Sequence, residues 1–524
     1  MSDASNDVLR LAEPRKKGLV HLIFSRFFLI VLLLAAQILL TISFYGWLKE
    51  LFPFFSAFIT VFTLCGIIYL FNSGMDSTAK LTWMFIIAIV PITGVALLAF
   101  MQTNVGHRKI RERMQQMIDM TMGAVGQPEG VLEKLADDTS GTDDLVKYLN
   151  RSGCFPAFDK TQVTYFPLGE DKFPAMLEEL QKAEKFIFLE YFIIDEGYMW
   201  GSILKILIEK AEAGVDVRVM YDGMLEVSTL PNDYCKRLEA HGIKAKVYAP
   251  IRPVVSSHYN YRDHRKILVI DGKVAFNGGV NLADEYINRK ERFGPWKDVA
   301  VMLKGDAAAS FTLMFLQMWN ASEKEPVFEP WISVKAEIPE NPSGYVIPYG
   351  DCPLDDDKVG EAVYMDILNR AVSYVHIMTP YLILDGELET ALKFAAQRGV
   401  DVKIILPGIP DKKLAYSLAK SHYRRLVKAG VKIYEYTPGF VHAKVFVSDD
   451  NKAVVGTINL DYRSLYHHFE CATYMYQTDC IPDIERDFQE TLVKCCEVTA
   501  ATIRNERLFY KVAGGLLQFI APLM

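Results

Sequence analysis

The residues of this 524-residue chain most suited to chemistry form two copies of one short pattern. The first copy begins with His264 and Lys266, and the second begins with His442 and Lys444. In each copy, four residues separate the lysine from an aspartate, and six more lead to Gly-x-x-Asn. Surface histidines would rarely repeat such a pattern by chance. Its other polar members are Asp271 and Asn281 in the first copy, and Asp449 and Asn459 in the second.

The spacing predicts where these side chains point. A histidine and a lysine two residues apart on a strand lie on the same face of a sheet. The apolar residues after each lysine predict a strand, and Asp271 and Asp449 fall at the turn that ends it. A returning strand would then bring Asn281 or Asn459 beside the lysine. We interpret the two aspartates of the motif as turn or ion-pair residues rather than as acid catalysts.

Two such sets facing each other suit phosphoryl transfer through a covalent intermediate. One imidazole would attack phosphorus, and the other would protonate the leaving alkoxide. The lysines and asparagines would bind the non-bridging oxygens, so no metal and no other cofactor is expected. An imidazole in this role needs a carboxylate to fix its tautomer. The downstream candidates are Asp298 for the first half and Glu470 for the second.

Three further residues could support this chemistry. Glu190 ends a predicted strand and could bind a head-group hydroxyl or orient a cation, although a structural salt bridge is an equal alternative. Arg262 shares a strand face with His264, so it could contact the phosphate or pair structurally. Ser464 follows the second asparagine of the motif by five residues and could donate a hydrogen bond in the cleft. The adjacent His467 and His468 are interpreted as bystanders.

The elements around the motifs are themselves repeated. Residues 185–223 read as strand, helix, Gly-Val-Asp-Val turn and strand, and residues 374–408 read the same way. Alternating strands and helices predict an α/β fold with mixed, largely parallel sheets. We therefore expect two duplicated domains, 161–330 and 331–524, related by a pseudo-two-fold axis and preceded by a connector over 108–160.

The N-terminal residues 1–107 have a different character. Residues 27–48, 51–75 and 81–103 lack charged side chains, and each is long enough for a bilayer core, which needs about 20 apolar residues. We expect two or three membrane helices here and a multi-pass protein of the plasma membrane. Basic residues flank both ends of this region, and we favour a cytoplasmic catalytic part. The C-terminal residues 508–524 form another apolar segment.

The composition of the chain excludes several classes of protein and of site. The net charge of −7 argues against a generally basic nucleic-acid-binding protein, and 12% aromatic residues argue against disorder. The eight cysteines contain no C-x-x-C pair, so we predict neither a disulfide framework nor a zinc site from them.

The doubled motif resembles the paired HKD motifs of the phospholipase D superfamily, and more narrowly those of bacterial cardiolipin synthases. The resemblance is carried by residues 260–286 and 439–470, with LEYFIID at 189–195 and TPYLILD at 379–385, and it extends over roughly 75–524. It implies two phospholipase D-like domains. It also implies a phosphatidyltransferase that converts two phosphatidylglycerol molecules into cardiolipin and glycerol through a phosphatidyl-histidine, with His264 as nucleophile and His442 as acid/base.

Other functions use the same residues. The alternatives are a hydrolytic phospholipase D and a phosphatidyltransferase with another donor or acceptor lipid. A nuclease would not need the N-terminal region, and a membrane scaffold would not need two intact motifs. We therefore expect phosphatidylglycerol, cardiolipin and membrane lipids as partners and no nucleic acid, while a homo-oligomer is left open.

Overall fold

The computed structural model describes residues 9–12, 39, 43, 46, 54–102, 105–138, 140–250, 261–355, 357–519 and 521–523. The strands are β1 (Thr161–Phe166), β2 (Phe186–Tyr191), β3 (Asp216–Asp222), β4 (Lys244–Tyr248), β5 (Arg262–Asp263), β6 (Lys266–Ile270), β7 (Val274–Gly278), β8 (Trp296–Lys297), β9 (Ala300–Gly305), β10 (Tyr345–Asp351), β11 (Tyr374–Met378), β12 (Asp401–Pro407), β13 (Lys432–Tyr436), β14 (Phe440–Val441), β15 (Val445–Ser448), β16 (Lys452–Gly456), β17 (His468–Tyr476) and β18 (Cys495–Glu497).

The helices lie before, between and after these strands. They are α1 (Phe55–Phe71), α2 (Ser77–Ile89), α3 (Pro91–Gln102), α4 (Val105–Thr121), α5 (Val131–Asp137), α6 (Thr142–Gly153), α7 (Gly169–Gln181), α8 (Tyr198–Glu212), α9 (Met224–Ser228), α10 (Tyr234–Glu239), α11 (Ala308–Asn320), α12 (Val359–Arg370), α13 (Gly386–Gln397), α14 (Lys413–Ala429), α15 (Tyr462–Tyr466), α16 (Ile481–Leu492), α17 (Ala500–Asn505) and α18 (Leu508–Leu517). Short 3₁₀ turns occur at Asp284–Ile287 and Ala521–Leu523.

The two halves contain sheets of matching topology. The first sheet has the order β1-β9-β7-β6-β2-β3-β4, and the second has the order β10-β17-β16-β15-β11-β12-β13-β18. Both are mixed sheets flanked by helices, as the sequence predicts. The expectation that they are largely parallel is wrong, because only β2/β3, β3/β4, β11/β12 and β12/β13 run parallel within these orders. The motif strands fold back as the hairpins β6/β7 and β15/β16, and a tight hairpin is necessarily antiparallel.

Two short strands connect the halves. β5 of the first half runs parallel to β17 of the second, with Arg262 opposite His468. β8 of the first half runs parallel to β14 of the second, with Trp296 opposite Phe440. Each half thus places a short segment against the motif of the other half.

A single apolar core crosses the boundary between the sheets. It contains Phe188 and Ile267 from the first sheet together with Ile377 and Tyr474 from the second. Helix α11 lies within this core, where Phe315 stacks on Phe188 with ring centroids 4.6 Å apart. Burial of this size holds the two motifs in a fixed relation, because close-packed interiors deform little.

The N-terminal helices differ from the expected membrane spans. Among the described residues, none of the helices combines the length and the apolar character that crossing a bilayer requires. Segment 51–75 contains α1, which has 17 residues, and segment 81–103 contains most of α2 and all of α3. Segment 27–48 lies outside the described residues apart from 39, 43 and 46, so its predicted crossing stays a prediction.

The break in the third segment has a local cause. Val90 precedes Pro91 and adopts φ −131° and ψ 75°, outside the helical region. A proline disfavours helical geometry at the preceding residue and cannot donate the next helical hydrogen bond. At Gly94 a Cβ would lie 2.9 Å from the Cα of Ile87, so the glycine allows α3 to fold back closely on α2.

Candidate active site

Each motif is anchored by its aspartate. The Asp271 carboxylate accepts hydrogen bonds from the backbone N–H groups of 184–186, and the Asp449 carboxylate accepts them from those of 372–374. Both residues occupy left-handed turns, with φ near +52° and +53°. These carboxylates tie the motif hairpin to the neighbouring strand at the end remote from the histidines. They hold the scaffold and do not belong with the catalytic residues.

The carboxylate partners of the histidines are crossed between the halves. His264 Nδ1 lies 2.9 Å from Glu470 Oε1, and His442 Nδ1 lies 2.6 Å from Asp298 Oδ2. The expectation that each carboxylate serves the histidine of its own half is therefore wrong. The cause is the β5/β17 and β8/β14 pairing, which carries Glu470 and Asp298 across to the other motif.

Both imidazoles are nearly enclosed, with His264 7% and His442 9% exposed. Burial and the Lys444 charge lower the pKa of His442 to about 4 despite Asp298, and burial likewise lowers the pKa of His264. Burial thus favours the neutral form of both rings in the unliganded site. With each Nδ1 facing a carboxylate, the ring proton belongs on Nδ1 and the lone pair on Nε2. Each histidine is therefore arranged to use Nε2 as a base or nucleophile.

The motif lysines are fully buried beside the histidines. Lys266 Nζ donates to the His264 carbonyl at 2.5 Å, and Lys444 Nζ donates to the His442 carbonyl and lies 2.9 Å from His442 Nδ1. Burial lowers the pKa of Lys266 to about 8. Burial and the charge of Lys266 lower the pKa of Lys444 to about 7. The crossed His–carboxylate contacts bring the two motifs together in one site, and the Lys266 charge is close enough to act on Lys444.

The two motif asparagines are not equivalent. Asn281 Oδ1 accepts from the Ile193 N–H at 3.0 Å, and its Nδ2 donates to the Tyr286 hydroxyl at 2.8 Å. Asn459 Oδ1 is buried without a hydrogen-bond partner among the described residues. Phosphate binding needs the amide Nδ2 as donor. The Nδ2 of Asn281 already donates to Tyr286, whereas no described residue accepts a hydrogen bond from the Nδ2 of Asn459, so the predicted role fits Asn459 better.

Of the three supporting candidates, two are engaged in structural ion pairs and one has no hydrogen-bond partner among the described residues. Glu190 is fully buried and pairs with Arg265 at 2.5 Å, so it takes the structural alternative rather than facing a head group. Arg262 pairs with Asp222 at 3.3 Å and donates to the Ala249 carbonyl. Ser464 is 1% exposed, and its hydroxyl has no hydrogen-bond partner in the described part of the chain.

Three residues near the histidines were not predicted from the sequence to be neighbours of the motif histidines. The His468 ring lies 5.3 Å from that of His264, and the Thr457 hydroxyl donates to Glu470. Trp296 lies 5.5 Å from His442. Their spacing in the sequence could have identified two of them. His468 and Trp296 each precede a partner carboxylate by two residues and therefore share its strand face. His264, His468 and Glu470 also offer ligand atoms within 4.8 Å of one another, close enough to hold a metal ion.

The close approach of Asp298 to its strand gives a first prediction. A Cβ at Gly279 would lie 2.1 Å from Asp298 Oδ1, and that carboxylate is fixed by His442 and by the Val299 N–H. We expect Gly279→Ala to displace Asp298 and to lower turnover by about 10- to 100-fold. Gly386→Ala, where a Cβ would meet nothing within 4 Å, is the matched control. Steady-state kinetics of both folded variants check this, and wild-type turnover in Gly279→Ala would contradict it.

The lysine pKa values predict an alkaline limit of activity. As pH rises through about 7 for Lys444 and about 8 for Lys266, each group loses the positive charge that attracts a phosphodiester. We expect kcat/KM to fall over this range and kcat to fall only at higher pH, since a bound anion raises both pKa values. Profiles of both constants between about pH 6 and 10 test the effect. A kcat/KM that stays constant to the upper end would show that the lysines are not the charged groups required.

The comparisons with known proteins agree with this geometry. A relative in Streptococcus mutans, described as an uncharacterized protein, is 59% identical over 459 residues, covering 87% of this chain and 99% of the relative. A cardiolipin synthase of Halalkalibacterium halodurans is 30% identical over 502 residues, covering 95% and 98% of the two chains. The crystal structure of a phosphatidylserine synthase from Haemophilus influenzae superposes with a TM-score of 0.56 at 16% identity over 73% of this chain and 97% of that one, which supports the fold alone.

The family comparison covers both motifs. The sequence profile of the family described as cardiolipin synthase, PLD-like domain, matches residues 176–319 and 364–492, about half of the chain. These ranges contain His264 and His442 with their crossed partners Asp298 and Glu470. The chain therefore belongs to the cardiolipin synthase family of phospholipase D-like phosphatidyltransferases.

Proposed function

We propose that this enzyme forms cardiolipin and glycerol from two molecules of phosphatidylglycerol. The observation that carries the proposal is the crossed arrangement of two His–carboxylate pairs around two buried lysines. Such a site supplies a nucleophile, an acid/base and fixed positive charge for a phosphodiester. The relatives described as cardiolipin synthase extend over nearly the whole chain, which supports the choice of substrate.

In the first half-reaction, His264 Nε2 attacks phosphorus. Glu470 holds the ring proton on Nδ1 and stabilises the positive charge that the ring gains. The phosphorus–oxygen bond to the departing glycerol breaks, and His442 gives its Nε2 proton to that oxygen. Asp298 and the bound phosphate favour the protonated form of His442 that this step requires. The products are free glycerol and a phosphatidyl group on His264.

In the second half-reaction, a terminal hydroxyl of another phosphatidylglycerol attacks the phosphatidyl-histidine. His442, now neutral, accepts the hydroxyl proton while the bond between His264 and phosphorus breaks. Cardiolipin forms and both histidines return to their starting state. In this proposal Lys266, Lys444 and the Nδ2 group of Asn459 donate to the non-bridging oxygens in both steps.

We also propose that the enzyme works at the plasma membrane with its catalytic part on the cytoplasmic side. Support comes from the uncharged residues 27–48 and from exposed apolar side chains on α1 and α18, such as Phe58, Ile68, Leu508 and Phe509. The N-terminal helices and the C-terminal segment meet, because Phe85 of α2 stacks on Phe519, which follows α18, with ring centroids 5.3 Å apart. An apolar surface of this kind suits a substrate that resides in a bilayer.

The test is an end-point assay in detergent with phosphatidylglycerol as the only lipid and mass spectrometry of the products. We expect cardiolipin and glycerol in equal amounts, and neither from a His264→Ala control. Phosphatidic acid as the sole product would replace the proposal with a hydrolase, since water would be the acceptor. Cardiolipin formed only after phosphatidylethanolamine is added would identify a different donor or acceptor.

A further inference from the structure

His468 is a buried polar residue that the proposed mechanism does not use. It is 7% exposed, and neither ring nitrogen has a hydrogen-bond partner among the described residues. Its Nδ1 lies 3.6 Å from Glu470 Oε1, the same oxygen that faces His264 Nδ1 at 2.9 Å. The other oxygen, Oε2, is held by the Thr457 hydroxyl. Burying an imidazole without partners is unfavourable, so its nitrogens suggest a ligand.

The equivalent position in the first half is occupied by Trp296, which cannot bind a metal. Trp296 precedes Asp298 by two residues, just as His468 precedes Glu470, and each residue pairs with the strand that leads into the other half's motif. The Trp296 ring lies 5.5 Å from His442, and the His468 ring lies 5.3 Å from His264. An indole nitrogen has no lone pair for a metal, whereas an imidazole nitrogen does. The His264 side alone therefore carries two imidazoles and a carboxylate.

We propose that His264, His468 and Glu470 form an inhibitory binding site for a divalent cation of the zinc class. Zinc binds imidazole nitrogen at about 2.0–2.1 Å and carboxylate oxygen at about 2.0–2.2 Å, in tetrahedral geometry. Tetrahedral ligand atoms at those lengths lie about 3.3 Å apart. The observed separations of 2.9 and 3.6 Å from Glu470 Oε1 are on either side of that value. A fourth position would be left for water.

The inhibition follows from the tautomer of His264. In the resting site Nδ1 carries the ring proton and Nε2 carries the lone pair that attacks phosphorus. An ion bound to Nδ1 needs a lone pair on that nitrogen, so the single proton of the neutral ring moves from Nδ1 to Nε2. Nε2 is then an N–H donor and cannot form the bond to phosphorus. This consequence rests on the proposed role of His264, whereas ion binding itself does not.

The charges nearby set the character of the site. Glu470 contributes one negative charge, and the Lys266 ammonium lies beside the site, where it donates to the His264 carbonyl. The lysine opposes a bound cation, so the ion binds reversibly and competes with the state that turns over substrate. Its expected effect is regulation by free metal rather than service as a cofactor.

The experiment measures Zn²⁺ binding to the full chain by calorimetry after chelator treatment, and compares His468→Asn with a matched control. The control is His467→Asn, since His467 faces Tyr261 rather than His264. We expect one ion in the wild type and in His467→Asn, with affinity at least about tenfold weaker in His468→Asn. Co²⁺ absorption should report nitrogen and oxygen ligands rather than thiolates.

Activity supplies the second measurement, on whichever phosphodiester the enzyme turns over. Zn²⁺ should inhibit the wild type reversibly, a chelator should restore turnover, and His468→Asn should need at least about tenfold more Zn²⁺ for the same fractional inhibition. Equal affinity in His468→Asn would place the ion elsewhere and overturn the proposal. Binding without inhibition would overturn its inhibitory part. Because calorimetry needs no lipid, these outcomes are separate from failure of the proposed function.

Discussion

Replacing His264 by alanine should lower turnover of phosphatidylglycerol by at least about 10⁴-fold, and replacing His442 should lower it by at least about 10³-fold. In the proposed mechanism the first change removes the nucleophile, for which the neighbouring side chains offer no substitute at the same position. The second removes the proton donor of one half-reaction and the proton acceptor of the other. Loss of either ring should therefore abolish net synthesis, although each variant can still bind lipid.

The controls must separate chemistry from folding, because both rings are buried in the site. His264→Gln and His442→Gln keep most of the side-chain volume and a hydrogen-bonding group, so they should fold and still be inactive. Thermal unfolding of all four variants checks this, with product formation measured by mass spectrometry. More than about 1% of wild-type turnover in either alanine variant would exclude a mechanism that needs both histidines.

The crossed carboxylates lead to a second large effect, visible with an activated substrate. A phosphatidyl ester of p-nitrophenol has a leaving group that departs without protonation. Asp298→Asn and His442→Ala should both retain a rapid burst of about one equivalent of nitrophenol, followed by slow turnover. Glu470→Gln should lose the burst together with His264→Ala, by about 10²- to 10⁴-fold in rate, because an amide no longer fixes the required tautomer.

This experiment tests two statements independently. The grouping of Glu470 with His264, and of Asp298 with His442, tests the crossed pairing. Which group loses the burst identifies the nucleophile. If Asp298→Asn behaved like His264→Ala, the carboxylates would serve their own halves and the pairing would be wrong. If the burst survived in Glu470→Gln and His264→Ala and disappeared in the other two variants, His442 would be the nucleophile.

In the N-terminal region the apolar composition predicts longer helices than the chain forms. The hydropathy of residues 81–103 depends only on their side chains. A bend in the backbone does not change it, so the hydropathy alone suggests one long helix. Pro91 ends α2 at Ile89, and Gly94 lets α3 return along it. The apolar residues Trp83, Ile87 and Leu98 then bury one another in a small cluster of their own with Leu70. The proline was visible in the sequence, and its effect on the neighbouring residue is local.

Local patterns predict those parts of the site that are close together in the chain. The apolar run after each lysine predicts the strands β6 and β15, and a turn at Asp271 or Asp449 returns the chain toward the motif, although His264 and His442 themselves lie just before these strands. These relations involve residues within about 20 positions and follow from strand periodicity and turn geometry. The duplicated pattern was therefore sufficient to suggest the family and to name the motif residues as candidates.

Contacts between distant parts of the chain determine which groups act together. Glu470 reaches His264 across 206 residues, and Asp298 reaches His442 across 144. Both contacts depend on strands exchanged between the halves, and no local periodicity encodes a pairing at such separation. Packing between distant parts of the chain also pairs Glu190 with Arg265 and places the His468 ring beside that of His264. Residue types and short spacings thus fix what each half can do, while burial of the common core fixes the partner that each side chain meets.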